Sequence, residues 1–148
     1  METCLFCDII KGKISSHKVY EDEEYLAFLD IYPNSKGMTL IIPKKHLPSD
    51  IVSIADKEYS KLLLISKKIA EILEKKLDVK RVAIVSEGMG IDHAHIKLYP
   101  LHGLKEKFEE TWSNKKIFFK KYEGYISTQL GERASDSELE NLAKLIRE

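Results

Sequence analysis

The sequence predicts one domain that mixes strands with a single long helix. Three observations carry this expectation: strand-like runs over residues 17–21, 25–31 and 38–43, helical spacing of Leu62, Ile65, Ile69, Ile72, Leu73 and Leu77, and alternation of polar and apolar residues over 93–99. At 148 residues and 43 % hydrophobic content, the chain is long enough to bury a core and short for two ordinary domains.

Taken in order, residues 5–11 read as a short amphipathic turn of helix stopped by Gly12. Residues 17–21 and 25–31 flank the acidic turn Asp22-Glu23-Glu24 and form a hairpin. After a loop at 33–37, the apolar strand 38–43 delivers Lys44, Lys45 and His46 at its end. The long helix is expected from an N-cap at Ser53, with Asp56 three residues on, to Leu77. Lys61, Lys67, Lys68, Glu71 and Lys75 interleave with its apolar positions, while Leu63 and Leu64 widen the apolar arc towards more core or a helix-to-helix seam. Residues 81–85 form a further strand, 86–91 a glycine-bearing loop and 93–99 the last strand. Residues 101–134, with Trp112 and several aromatics, are not assigned to elements. Ser135 and Glu138 make a capping box for a terminal helix through Leu139, Leu142, Ala143 and Ile146.

Acidic and basic residues balance at 24 each, which argues against a polybasic nucleic-acid surface, so any phosphate must be held locally. Met1 to Cys4 are expected to open directly into structure, without an apolar leader, and no later run approaches the length of a membrane span. The expectation is a soluble, cytoplasmic protein with neither nucleic acid nor membrane as partner. Cys4 and Cys7 form a C-x-x-C pair, a spacing that in such a chain signals metal or redox chemistry more often than a disulfide. A thioredoxin-like site needs a buried strand before the pair, and only three residues precede Cys4. A metal would need two more ligands.

The strand at 93–99 points His93, His95, Lys97 and Tyr99 to one face and Ala94, Ile96 and Leu98 to the other. Two neighbouring imidazoles and an ammonium suit an anionic ligand, and each imidazole can serve as metal ligand, nucleophile or general base.

This strand, closed by Pro100, resembles the signature of the histidine triad (HIT) superfamily, with Lys97 where the third histidine usually stands. Ala27-Phe28-Leu29-Asp30-Ile31 followed by Leu40-Ile41-Ile42-Pro43-Lys44-Lys45-His46 resembles the nucleotide-binding hairpin of its HINT-like branch. Cys4-Leu5-Phe6-Cys7 is similar to the zinc-binding members. The resemblance covers about residues 4–100, so 101–148 reads as a C-terminal extension of a single domain.

The resemblance implies an α+β fold: a bent antiparallel sheet of about five strands carrying the long helix, with short N-terminal and C-terminal helices, in a homodimer with a continuous sheet. It implies a nucleotide hydrolase or nucleotidyltransferase working at the α-phosphate of nucleoside phosphoramidates or dinucleoside polyphosphates. His95 would attack phosphorus to form a nucleotidyl-histidine, its other ring nitrogen donating to a backbone carbonyl. Alternatives are transfer of the nucleotidyl group to phosphate or a sugar phosphate, and a zinc-stabilised binding or adaptor module of weak activity.

The resemblance also implies a structural zinc on Cys4, Cys7, His46 and His93; the alternative is reduced thiols with His46 and His93 bonded to each other. Asp30 is implied as the ribose ligand, and Leu5, Phe6, Ile9, Phe28 and Ile31 as walls around a purine base. The loop before the strand departs from the family pattern: Ser86, a nucleotide-binding candidate, stands where an asparagine is usual, and Glu87-Gly88-Met89-Gly90-Ile91-Asp92 is short, leaving the N–H groups near Gly88 and Gly90 to cradle phosphate. Asp92 is expected to contact His93 or pair with Lys97, and Lys97 to stabilise charge on the phosphate without accepting a hydrogen bond.

Overall fold

Leu26, Phe28, Leu40 and Ile42 face one side of a sheet, while Tyr25, Ala27 and Ile41 face the other; both sides are covered. This explains why the second and third strands read as nearly continuous apolar runs, a pattern of strands buried on both faces. The structure is a computed structural model that describes residues 4–147. Met1 to Thr3, expected to open directly into structure, lie outside these residues, as does Glu148.

In chain order the elements are α1 (Leu5–Ile10), β1 (Lys18–Glu21), β2 (Tyr25–Leu29), β3 (Thr39–Pro43), α2 (Asp56–Leu77), β4 (Val82–Val85), β5 (Ile96–Pro100) and α3 (Asp136–Arg147). The strands form one bent antiparallel sheet in the order β1-β2-β3-β5-β4. This is the α+β architecture expected. Helix α2 packs Leu62, Ile65, Ile69 and Leu73 against Ile41, Ala94, Ile96 and Leu98. On the opposite face, α1 packs Phe6 and Ile9 against Leu26, Phe28, Leu40 and Ile42.

Local chemistry sets the turns. Asp22 accepts from the N–H groups of Glu24 and Tyr25 at 2.8 and 2.7 Å, which folds the β1–β2 hairpin. Gly37 has φ +84°, a backbone conformation that L side chains rarely adopt, and a Cβ there would press on the Leu77 side chain at the end of α2.

Two expectations need correction. Helix α2 begins at Asp56 after Ala55, not from a cap at Ser53, because the Ser53 N–H and hydroxyl both donate to the Asp50 carbonyl and close a separate turn. Of the two readings of Leu63 and Leu64, the core one is corrected: both are exposed, Leu64 to 67 %. The described residues divide into two compact units between Phe108 and Glu109. In the second, Ser135 and Glu138 cap α3 reciprocally, the Glu138 N–H donating to Ser135 Oγ and the Ser135 N–H to the Glu138 carboxylate. None of the apolar residues of α3 is buried. No helix among the described residues is long and apolar enough to cross a membrane.

Candidate active site and metal centre

The segment from His93 to Pro100 keeps its alternation but enters the ladder late. Regular pairing with β3 covers Ile96, Lys97 and Leu98, opposite Ile41, Leu40 and Thr39. The strand therefore starts at Ile96 rather than at 93. Two residues further along β3 stands Pro43, which has no N–H for a ladder bond, and the Ala94 N–H donates instead to the Leu47 carbonyl at 2.8 Å. Ala94, Ile96 and Leu98 still enter the core under α2, while His93 and His95 turn the other way, their rings edge-on to Phe6 at 5.8 and 5.6 Å. Both histidines are buried, which removes the possibility of a solvated polar strand face.

Cys4, Cys7, His46 and His93 come together with their ligand atoms all within 4.8 Å of one another. Cys4 precedes α1 and Cys7 lies three residues on, so both thiols share one side of the first turn. His46 follows β3. Nδ1 of His93 is 3.4 Å from Cys4 Sγ and 3.7 Å from Cys7 Sγ, and Nδ1 of His46 is 3.4 Å from Cys7 Sγ. A tetrahedral zinc with ordinary Zn–S and Zn–N bonds sets its ligand atoms about 3.3–3.8 Å apart, so these separations fit one. His93 Nε2 donates to the Pro43 carbonyl at 2.8 Å. That bond puts the proton on Nε2 and leaves the Nδ1 lone pair facing the thiols, the outer-sphere arrangement that orients a ligating histidine. Burial holds the His93 pKa below its ordinary value, which keeps the ring neutral. Burial and then the neighbouring Cys4 push the Cys7 thiol up, so Cys7 is more costly to ionise without a cation beside it.

Beside this cluster lies a cleft of about 380 Å³. Leu5, Phe6, Ile9, Phe28 and Ile31 line its apolar part; Asp30, Gly90, His95 and Lys97 supply polar groups. His95 Nδ1 donates to the His93 carbonyl at 2.7 Å, so the lone pair of this imidazole resides on Nε2. Asp30 uses one carboxylate oxygen to accept from the Tyr32 N–H at 2.7 Å. Ser86 and Gly88, candidates from the sequence, do not line the cleft. Ser86 Oγ donates to the His95 carbonyl at 3.1 Å, and Gly88, at φ +67°, backs so closely onto Ser49 that a Cβ would stand 3.0 Å from its carbonyl oxygen. Sequence reasoning missed Ser16, whose buried hydroxyl has no hydrogen-bond partner among the described residues, as well as Tyr32 and Met89 in the walls. Their stretches carry no period that would have marked them.

The expected ion pair of Lys97 with Asp92 is corrected, while Asp92 does interact electrostatically with His93. Lys97 Nζ pairs with Glu87 at 2.6 Å, with side chains 22 % and 13 % exposed. Asp92 instead accepts from the Ser49 N–H at 3.0 Å, and bonds from the Ser49 N–H and hydroxyl hold its pKa below the ordinary range. Burial works to lower the Lys97 pKa, but the Glu87 bond and the nearby negative charges outweigh it and raise it, so Lys97 stays a cation. A signal for Glu87 existed in strand register: Val85 stands opposite Lys97, and Glu87 follows two residues later.

Residues 11–103 match the HIT domain. The chain belongs to the HIT family. It is 41 % identical over 102 residues to an uncharacterised HIT-like protein of Methanocaldococcus jannaschii, covering 66 % of this chain and 78 % of that one. It is 34 % identical over 122 residues to the adenosine 5'-monophosphoramidase HNT1 of Saccharomyces cerevisiae, covering 80 % of this chain and 75 % of the relative. Among solved structures, a protein of Streptococcus mutans UA159 superposes with a TM-score of 0.70 at 34 % identity, covering 99 % of this chain and 85 % of that chain. The HIT match takes in Asp30, His46, His93, His95 and Lys97; Cys4, Cys7 and the α1 wall of the cleft lie before it.

Proposed function

We propose that this HIT-family protein is a nucleotide hydrolase or nucleotidyltransferase of the zinc-binding HINT-like branch, with Lys97 in place of the third histidine. Its substrates are purine nucleotides carrying a P–N or P–O–P bond at the α-phosphate. The observation that carries the reading is the His95 Nδ1 to His93 carbonyl bond. It fixes the tautomer of an imidazole that lines a cleft with apolar walls at one part and Asp30 and Lys97 at another. The relative named as an adenosine 5'-monophosphoramidase supports the same class of chemistry.

In this reading the base lies between Leu5, Phe6, Ile9, Phe28 and Ile31, which grip its π-face. The free carboxylate oxygen of Asp30 accepts from the ribose hydroxyls. His95 Nε2 attacks the α-phosphorus, and the P–N or P–O bond to the leaving group breaks, the leaving atom departing with the electron pair and taking up a proton. Lys97 and the N–H of Gly90 face the charge that develops on the phosphoryl oxygens. Water then attacks the nucleotidyl-histidine, its proton is released, and the nucleoside monophosphate leaves with Nε2 restored.

Cys4, Cys7, His46 and His93 are the residues that would hold zinc. With four protein ligands it would supply cross-linking of α1, the end of β3 and the segment before β5, with no open position for substrate. A homodimer belongs to the same reading: β4 is a sheet edge, and its Ile84 is 48 % exposed.

A second reading, a nucleotide-binding module with weak turnover, draws on the Lys97–Glu87 pair, which already engages the cation of the cleft. Intact-mass measurement after brief exposure to an adenosine phosphoramidate separates the two. A nucleotidyl adduct on His95 with product release supports the enzyme; nucleotide binding with neither adduct nor product supports the module.

A further inference from the structure

Glu87 is placed by its loop. The loop leaving β4 is pinned at Gly88, which rests on the Ser49 backbone, and at Asp92, which accepts from the Ser49 N–H. Between these anchors and β4, Glu87 reaches Lys97 Nζ at 2.6 Å. Both side chains are largely shielded, so solvent does not dilute the interaction as it does for surface pairs. The pair meets the cleft through Lys97, which lines it, and Asp30 is the carboxylate in the cleft wall. Lys97 and Asp30 therefore bring one positive and one negative charge to the cleft, and Glu87, bonded to Lys97, adds a second negative charge at that cation. A phosphate approaching Lys97 must share that cation with Glu87 and must lie near a carboxylate held in place by the backbone.

Resting on the nucleotide-binding reading above, we infer that Glu87 is a specificity-determining residue that acts through Lys97. It partly cancels the Lys97 charge and penalises each further negative charge on the bound nucleotide. The site thereby selects nucleoside monophosphate conjugates whose leaving group is neutral or cationic, the amine of a phosphoramidate, over those whose leaving group is itself a phosphate chain. The carboxylate takes no part in bond making.

The test is calorimetric binding of adenosine, AMP and ATP to the intact chain, compared with Glu87→Gln and Glu87→Asp. Gln keeps the length and a hydrogen-bond acceptor for Lys97 but removes the charge; Asp keeps the charge. In Glu87→Gln, AMP binding is expected to tighten about tenfold and ATP binding more, the scale of removing one like charge from a shielded contact, with adenosine unchanged. Glu87→Asp should keep the wild-type ratio of AMP to ATP affinity. In turnover, kcat/KM for a diadenosine polyphosphate relative to an adenosine phosphoramidate should rise in Glu87→Gln, through KM.

Equal shifts for adenosine and AMP would show a structural role and overturn the inference, as would AMP binding unchanged or weakened in Glu87→Gln. Those outcomes leave nucleotide binding itself intact. A wild-type chain that binds neither adenosine nor AMP would overturn the nucleotide reading and this inference together.

Discussion

His93 donates from Nε2 to the Pro43 carbonyl at 2.8 Å and so turns Nδ1 to within 3.4 Å of Cys4 Sγ. One proline thus ends the β3 ladder and, through its carbonyl, sets the tautomer of a histidine fifty positions later. The first prediction is one tightly held zinc per chain, measured by elemental analysis of protein purified without chelator. Cys4→Ser or Cys7→Ser should lose the metal and lower stability by several kcal/mol, on the order of the folding free energy that a closed site supplies. A metal-free preparation as stable as the wild type would return the thiols to the reduced, unliganded alternative.

His95→Ala should abolish turnover while leaving nucleotide affinity nearly intact, because the attacking nitrogen is removed from a cleft whose other walls remain. Peptide mapping of the trapped adduct checks the assignment. A nucleotidyl group on His93 or Lys97 would contradict it.

Asp30→Asn should weaken binding of ribonucleotides more than of 2'-deoxyribonucleotides. The carboxylate oxygen not engaged by the Tyr32 N–H is the one available to the sugar, and a charge-assisted bond contributes about 1.5–3 kcal/mol. Equal losses for both sugars would exclude a ribose contact.

Lys97→Met should slow formation of the nucleotidyl-histidine about a hundredfold, the scale of removing one preorganised donor to a developing charge, and weaken nucleotide binding less. Lys97→Gln should keep more activity than Met because it retains an N–H donor. Single-turnover rates distinguish them, and near-identical rates in both variants would deny Lys97 a catalytic role.

Asp22 offers a pH test of the hairpin. Burial works to raise its pKa, but bonds from the Tyr20 hydroxyl and the N–H groups of Tyr25 and Glu24 outweigh this and hold it below the ordinary 3.8. A carboxyl depressed in the folded state contributes stability that is present above its unfolded pKa and lost as pH falls through the folded one. Asp22→Ala should therefore cost about 1–2 kcal/mol at neutral pH. Its difference from wild type should shrink below about pH 4, as followed by denaturant unfolding.

Alternation and helical periodicity belong to single segments, so the chain by itself determined that β2 and β3 are apolar strands, that Leu62 to Leu73 face a core, and that His93 and His95 share a side. The C-x-x-C pair and His46 were equally visible, since they depend on residue type and spacing. Partner choice was not. Lys97 had an aspartate and a glutamate within reach along the chain, and only the fold, by tying Asp92 to the Ser49 N–H, left Glu87 as its partner. The start of α2 depended on Ser53 bonding back to Asp50, and the exposure of Leu63 and Leu64 on how α2 is rotated against the sheet. Gly88 carries the flexibility expected of a phosphate loop, yet its position against Ser49 assigns it to packing. Each of these was decided by contacts between segments distant in sequence, whose geometry exists only once the sheet and α2 have closed on each other.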